Sequence, residues 1–371
     1  MPPPAPSNAA NPDTICGYAL ADVRRSLRDA IDRRDFRAAR RWTAELVVTP
    51  AAIGSLWASY WLAWAAAQGA GSASPTVPIL LQQKWKETTA IAHAHMDDGS
   101  AWPGFRNDPA VRATAAEMTS RLLAQPRQTP VVWPSREIIL YDVSLMRDSP
   151  PPPETDGRAV LRVWTRGDDS MELRMMAGRF LAALEAGDIR TALSAVAWTL
   201  LPPAQQALTQ PFRVADLGPP ALPLKMRTSP FWFWMDLGKA LLAERSNTIH
   251  RGWYSMHQAI HAAFRDHFKR WTASERMRLL LAWILQIRAT YVAEPQGLWT
   301  ADAMTQTLVE IDLPYKEIAA ELANPQDQVI QHDRAPDPET ESKKAKQARL
   351  AARMAESEAA VMAAMGLTEE D

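Results

Sequence analysis

Two apolar stripes with helical spacing, separated by a polar turn, lie between residues 18 and 48. The first stripe consists of Val23, Leu27, Ala30 and Ile31, and the second of Phe36, Ala39, Trp42, Thr43 and Leu46. Residues three and four positions apart share one helix face, so the stripes predict two helices joined as a hairpin. Asp22 and Asp35 fit the two N-cap positions, because a short carboxylate side chain accepts the free amides of a first helical turn.

The same pattern recurs later in the chain. Residues 27–39 (LRDAIDRRDFRAA) align without gaps with residues 180–192 (FLAALEAGDIRTA), and Asp35 then matches Asp188. One explanation is a duplicated helical-hairpin unit. The other is that two ordinary hairpins use the same capping residues.

Further apolar periodicity predicts helices over most of the remaining chain. The uncharged segment 51–67 is either a core helix or a membrane helix; its short length and the single face formed by Trp57, Trp61 and Trp64 favour a core helix. The other predicted helices lie at 75–96, 108–124, 170–185, 188–201, 231–244, 248–271, 274–292, 300–311 and 314–322.

One region has a different pattern. Residues 137–146 (EIILYDVSLM) and 158–165 (RAVLRVWT) are rich in β-branched and aromatic residues and flank the prolines 150–153. They predict a small β-hairpin element. The predicted fold class is therefore mainly α, either a multi-helix bundle or an irregular array of helical hairpins, with one β element near 137–165.

These patterns divide the chain into five predicted segments. They are a disordered leader at 1–16, an N-terminal helical domain at 17–130, a β element with a proline-rich linker at 131–168, a tryptophan-rich helical domain at 169–323, and a linker with an exposed C-terminal helix at 324–371.

Composition narrows the function classes. The 371 residues include 41 basic and 42 acidic residues, so no overall field directs the chain to nucleic acid. The single cysteine excludes an internal disulfide framework. Residues 1–12 lack the basic start and apolar run of a signal peptide, which predicts an intracellular protein without a membrane segment. No GxxxxGK[ST], GxGxxG, HExxH or GxSxG motif occurs, so no cofactor and no enzymatic activity are predicted.

Two histidines carry a candidate metal site. His257 and His261 are four positions apart in a predicted helix, and His250 lies seven positions before His257. Two imidazoles at this spacing can share a zinc ion. However, Gln258 stands where a hydrolytic site would have glutamate, and no third ligand is evident. The alternative is that these histidines line a seam between helices.

Eight arginines within residues 24–41 form a candidate phosphate or nucleic-acid surface, interspersed with Asp29, Asp32 and Asp35. Guanidinium groups suit phosphates, and the local charge of +5 could meet a nucleic-acid backbone. The aspartates favour the alternative of salt links on a solvated or partner-facing surface. We name this set the arginine face: Arg24, Arg25, Arg28, Arg33, Arg34, Arg37, Arg40 and Arg41.

Aromatic residues predict an interaction surface. Residues 231–234 are four consecutive aromatics, which point to every side of a helix, so some rings are expected to be exposed and to need a covering partner. The predicted interface residues are Trp232, Trp234, Trp253 and Trp271, together with Leu350 and Met354 of the C-terminal helix.

The stretch 26–46, with its short turn at Asp35 and the sequence Ala38-Ala39-Arg40-Arg41-Trp42, resembles the helical collar that follows the ATPase module in clamp-loader and replication-associated AAA+ proteins. The resemblance covers about 25 residues. In that family the collar forms oligomers, so the resemblance implies an interaction module. The Walker motifs of the family are absent here, and no catalytic or binding residue carries over.

The sequence therefore favours a non-enzymatic interaction or assembly protein that binds a protein partner or itself. A nucleic-acid-associated accessory factor using the arginine face is one alternative. A metal-dependent enzyme built around His257 and His261 is the other.

Overall fold

The mainly α fold class is confirmed. The computed structural model describes residues 14–49, 52–68, 76–97, 101–125, 134–148, 171–201, 222–227, 229–244, 251–288 and 310–323. Within these ranges 86% of the residues are helical and no strand is present. None of the helices found there combines the length and the hydropathy needed to cross a membrane.

The chain divides into two compact units, each assembled from separate segments. The first unit takes in Met1–Trp64, Leu80–Pro126 and Glu294–Asp371, and the second Ala65–Ile79 and Arg127–Ala293. The helix near residue 318, which we predicted in the C-terminal domain, is therefore grouped with the N-terminal helices. The predicted disordered leader 1–16 is wrong at residues 14–16, because Thr14 and Cys16 are buried and the Cys16 amide donates to Glu45. Residues 1–13 and the predicted segment 324–371, including Leu350 and Met354, lie outside the described residues.

The first unit is built around the predicted hairpin. Its first two helices pack against each other and against the sixth, and the last of the described helices packs on the second. Its helices are α1 (Leu20–Arg33), α2 (Phe36–Val48), most of α3 (Ile53–Ala66) and α4 (Thr76–Asp97), α5 (Ala101–Asn107), α6 (Pro109–Ala124) and α14 (Leu313–Ala323).

A buried hydroxyl cluster joins three helices of this unit. The Tyr60 hydroxyl on α3 lies 2.8 Å from Thr119 Oγ1 on α6, and that oxygen lies 2.8 Å from Thr43 Oγ1 on α2. Tyr60 also donates to the Ala115 carbonyl at 2.9 Å. Each buried hydroxyl therefore has a hydrogen-bond partner, as burial requires.

The second unit contains the second hairpin and several helices rich in aromatic residues. Its helices are α7 (Arg136–Asp148), α8 (Met171–Ala186), α9 (Ile189–Thr199), α10 (Leu224–Arg227), α11 (Pro230–Glu244), α12 (Arg251–His267), a 3₁₀ turn (Phe268–Arg270) and α13 (Ala273–Arg288). Helix α11 approaches α13 closely, since a Cβ atom added at Gly238 would lie 1.6 Å from Cζ2 of Trp283.

The two hairpins close with the same backbone chemistry. The Asp35 side chain accepts from the Ala38 amide, and the Asp188 side chain accepts from the Thr191 amide, both at 3.0 Å. In each hairpin the residue before the aspartate has a positive φ, 57° at Arg34 and 87° at Gly187. The aspartate amides donate to equivalent carbonyls, both at 2.9 Å. The predicted N-cap at Asp35 is confirmed. Both explanations of the repeat, duplication and convergence on the same capping residues, predict this agreement.

Two local predictions are wrong. Asp22 is not an N-cap, because α1 begins at Leu20 and Asp22 lies in its first turn. Residues 137–146 form helix α7 rather than a strand. The helix is favoured because Ile139, Asp142 and Val143, at helical spacing, all become buried. The predicted second strand at 158–165 lies outside the described residues.

Candidate functional site

The arginine face occupies the outer side of α1 and the first half of α2. Arg25, Arg33, Arg34 and Arg37 are exposed, and the other four arginines are half-buried. The local sequence explains the arrangement, since Val23, Leu27, Ala30 and Ile31 turn the opposite side of α1 into the core. The part of the face on α2 consists of Arg37, Arg40 and Arg41.

Carboxylates from residues 310–321 cover this α2 part. Arg41 Nη2 lies 2.5 Å from Glu321 Oε2, and Arg37 Nη2 lies 3.3 Å from Glu317 Oε1. Arg40 also pairs with a carboxylate of this segment, that of Glu310. The arginines at 37 and 41 and the glutamates at 317 and 321 are each four positions apart, so two helices present matching rows of opposite charge.

Beneath Arg41 lies a buried carboxylate. Glu45 is fully buried, and its two oxygens accept from Arg41 Nη1 at 2.8 Å and from the Cys16 amide at 3.0 Å. Burial by itself would lower the pKa of Arg41, but the attraction of Glu45 and Glu321 outweighs it and raises that pKa. Arg41 is therefore a permanently charged link between Glu45 within the hairpin and Glu321 on α14.

The thiol and the phenol beside this link are not activated. Burial raises the pKa of the Cys16 thiol, and the neighbouring Glu45 raises it further. Burial and the hydrogen bond that the Tyr18 hydroxyl donates to Glu321 Oε1 at 2.9 Å raise the pKa of Tyr18. Both groups stay protonated at neutral pH, and a protonated thiol is a poor nucleophile.

Apolar contacts complete the docking of α14. Ile318 and Tyr315 are buried, and the Arg112 guanidinium lies 4.2 Å above the Tyr315 ring. A cavity of about 10 Å³, just large enough for one water molecule, lies beside them and is lined by Arg40 and Thr43 among others. The contact between α2 and α14 thus combines a small apolar centre with a charged rim, which is the usual composition of a protein interface.

The predicted tryptophan interface is wrong for the residues that can be assessed. Trp232, Trp234, Trp253 and Trp271 are at most 5% exposed. The indole of Trp232 stacks on Phe268, whereas that of Trp234 packs on Phe180 and donates to Thr199 Oγ1 at 2.8 Å. Helix α11 is enclosed on several sides within its own unit, so consecutive aromatics are all covered.

The histidine pair lies at a seam between helices. The His257 and His261 rings are 6.3 Å apart, and His257 Nδ1 accepts a hydrogen bond from Trp283 Nε1 at 3.1 Å. Burial lowers the pKa of His257 to about 3 and also lowers that of His261. Within the described ranges no group of three or more histidine, cysteine, aspartate or glutamate side chains could hold a metal ion. The geometry therefore fits the alternative of a helix seam.

The sequence reasoning missed the partners of the arginines. Four carboxylates, those of Glu45, Glu310, Glu317 and Glu321, lie within ion-pair distance of the α2 part of the arginine face. They lower the local charge from +5 to +1. The spacing of Glu317 and Glu321 was a signal, but nothing local connects them with arginines about 280 residues away.

Comparisons with protein-family models, with curated proteins and with solved structures found no match.

Proposed function

We propose that this chain is a non-enzymatic interaction or assembly protein whose docking surface is the α2 part of the arginine face. The observation that carries the proposal is the pairing of Arg37, Arg40 and Arg41 with Glu317, Glu310 and Glu321 of a distant segment. The surface recognises an amphipathic helix with acidic residues four positions apart, and α14 is its occupant within the chain.

The burial of the tryptophans counts against them as the interaction surface. Exposed indoles would have required a partner, but Trp232 and Trp234 are covered inside their own unit. The arginine face remains accessible at Arg25, Arg33, Arg34 and Arg37. A partner helix that replaces α14 would find charged rim positions and the apolar contacts now made by Ile318.

Nucleic-acid binding is the second candidate, supported by the four exposed arginines. The pairing with α14 counts against it, because a local charge of +1 gives little counterion release. This candidate predicts DNA or RNA binding at 50 mM salt that weakens as salt rises. Absence of binding at 50 mM salt would remove it.

A peptide-binding experiment tests the preferred function. In the full-length chain, the substitutions Glu310→Arg and Glu317→Arg should release α14 and leave the arginines open. A fluorescent peptide with the sequence of residues 308–324 should then bind saturably in fluorescence anisotropy. Replacing its three glutamates with glutamine should weaken binding at least tenfold, since each lost charged hydrogen bond costs about 1 kcal/mol or more.

The matched control changes the receptor instead of the peptide. Adding Arg37→Gln and Arg40→Gln to the opened chain should abolish binding of the unmodified peptide. Absence of saturable binding to the opened chain, or equal binding of the peptide that lacks the three glutamates, would refute the proposed docking surface.

A further inference from the structure

We infer that the partner of the arginine face is a second copy of this chain, which supplies its own α14. This inference rests on the proposed function, because it names the partner of the same surface. It follows from a second helix-docking contact in unit 2, from the match between the two docked helices, and from the order of the helices along the chain.

Unit 2 contains a docking contact at the equivalent hairpin positions. With the offset of 153 residues that aligns the two hairpins, Arg37 matches Arg190 and Arg41 matches Ser194. Arg190 binds Asp142 of α7 through two hydrogen bonds, at 2.8 and 3.2 Å, and Ser194 donates to the same carboxylate at 2.6 Å. The contact of Ser194 with Asp142 is therefore equivalent to that of Arg41 with Glu321. The equivalent arginines differ in their partners, since Arg190 shares Asp142 with Ser194, whereas Arg37 pairs with a separate carboxylate, that of Glu317.

The two docked helices also match each other. Their common pattern is a buried isoleucine, a carboxylate three positions later and an apolar residue one position after that. In α7 this pattern is Ile139, Asp142 and Val143, and in α14 it is Ile318, Glu321 and Leu322. Because the same contact occurs twice, it is a property of the hairpin rather than a chance meeting of one charged helix with α2.

Each docked helix follows the helices of one unit along the chain but packs in the other unit. Helix α7 follows α1–α6 of the first unit but packs on α9 in the second. Helix α14 follows α8–α13 of the second unit but packs on α2 in the first. If the chain is a duplicated unit, each copy contributes one helix to the hairpin of the other copy. Exchange of an identical element between protomers is a low-cost route to dimers, and here the sequence already contains both partners of the exchange.

The tether normally favours docking within one chain. A helix in the same chain as its binding surface meets that surface at an effective concentration on the order of millimolar. At micromolar concentration the unmodified chain should therefore be mainly closed on itself. Exchange between copies becomes dominant when docking within the chain is prevented but docking between chains is allowed.

Charge reversal separates these two situations in the full-length protein. One variant carries Arg37→Glu and Arg40→Glu, and the other carries Glu310→Arg and Glu317→Arg. In either variant alone, two of the three ion pairs between the surface and residues 310–321 become like-charged pairs, both within one chain and between chains. The pair of Arg41 with Glu321 is the same in every pairing. In an equimolar mixture, each α14 finds a complementary surface only on the other chain.

The mixture should form a 1:1 complex with about twice the chain mass of 41.2 kDa in light scattering. Each variant alone, and the quadruple variant in which the reversed charges match within one chain, should remain monomeric. Far-ultraviolet circular dichroism of the separate variants verifies folding. A second, milder set consists of two single variants, Arg37→Glu and Glu317→Arg, tested alone and mixed. These two side chains are exposed, at 88% and 46% accessibility.

The inference is overturned if the mixed, folded variants stay monomeric in both sets. Failure of the inference is distinguishable from failure of the proposed function by the peptide experiment. If the peptide binds the opened chain but the mixture stays monomeric, the docking surface is retained and its partner is another protein. If the peptide also fails to bind, the proposed function is itself refuted.

Discussion

The stability of α12 in unit 2 should depend strongly on pH, because two buried histidines stay neutral in the folded unit and gain a proton at acidic pH only when it unfolds. His257 is 1% exposed and His267 is fully buried. Burial lowers the pKa of each to about 3; the neighbouring His261 and Lys239 add to the effect at His257. Protonation of His257 at Nδ1 would also remove the acceptor of the Trp283 hydrogen bond.

The sign of the effect follows from proton linkage. Between the folded pKa of about 3 and the unfolded value of about 6.5, the unfolded state binds more protons, so the free energy of unfolding falls as the pH falls. From pH 7 to pH 5 each histidine should lower the free energy of unfolding by about 2 kcal/mol, and the two together by about 4 kcal/mol. A loss of this size is a large part of the total of about 5–15 kcal/mol for a typical domain.

The assay is native-state hydrogen exchange, read by mass spectrometry on peptides that cover α12 at pH 7 and pH 5. Rates are corrected for the intrinsic effect of pH on exchange, and the α1–α2 hairpin provides an internal reference. This local readout is needed because a chain with two units need not unfold in one step. The control His257→Asn does not titrate, and its Oδ1 can accept from the Trp283 indole, so it should remove about half of the pH effect. Equal protection of α12 at both pH values, or a full effect in His257→Asn, would refute the reasoning.

Two further predictions concern glycines. Gly238→Ala should destabilise unit 2 by about 3 kcal/mol or more in urea denaturation, because its Cβ would lie 1.6 Å from the buried Trp283 ring; Lys239→Ala on the exposed side of α11 should change stability by less than about 0.5 kcal/mol. Gly187→Ala should lower the free energy of unfolding by about 1 kcal/mol, because φ at this position is 87°. Arg34→Gly, at the equivalent position with φ 57°, should leave stability unchanged or raise it. The opposite order of the two effects would contradict the equivalence of the two turns.

Local chemistry made the helices and their hairpins predictable. The carboxylates of Asp35 and Asp188 act on amides three residues away, so capping can be recognised within one helical turn of sequence. The stripe on α1 and the repeat at an offset of 153 residues also depend on short-range periodicity. Helix α7 was mispredicted because a run of apolar and β-branched residues suits either a strand or a helix, and the packing of Ile139 and Val143 decided between them.

The amino-acid sequence by itself determined a helical protein with two equivalent hairpins and a cluster of arginines. Only the tertiary structure decided which of these groups meet solvent. It enclosed the consecutive aromatics at 231–234, and it brought Glu310, Glu317 and Glu321 to the arginine face. The physical reason is range: helix capping and periodicity act over a few residues, whereas burial and charge pairing depend on which distant segments fold against each other.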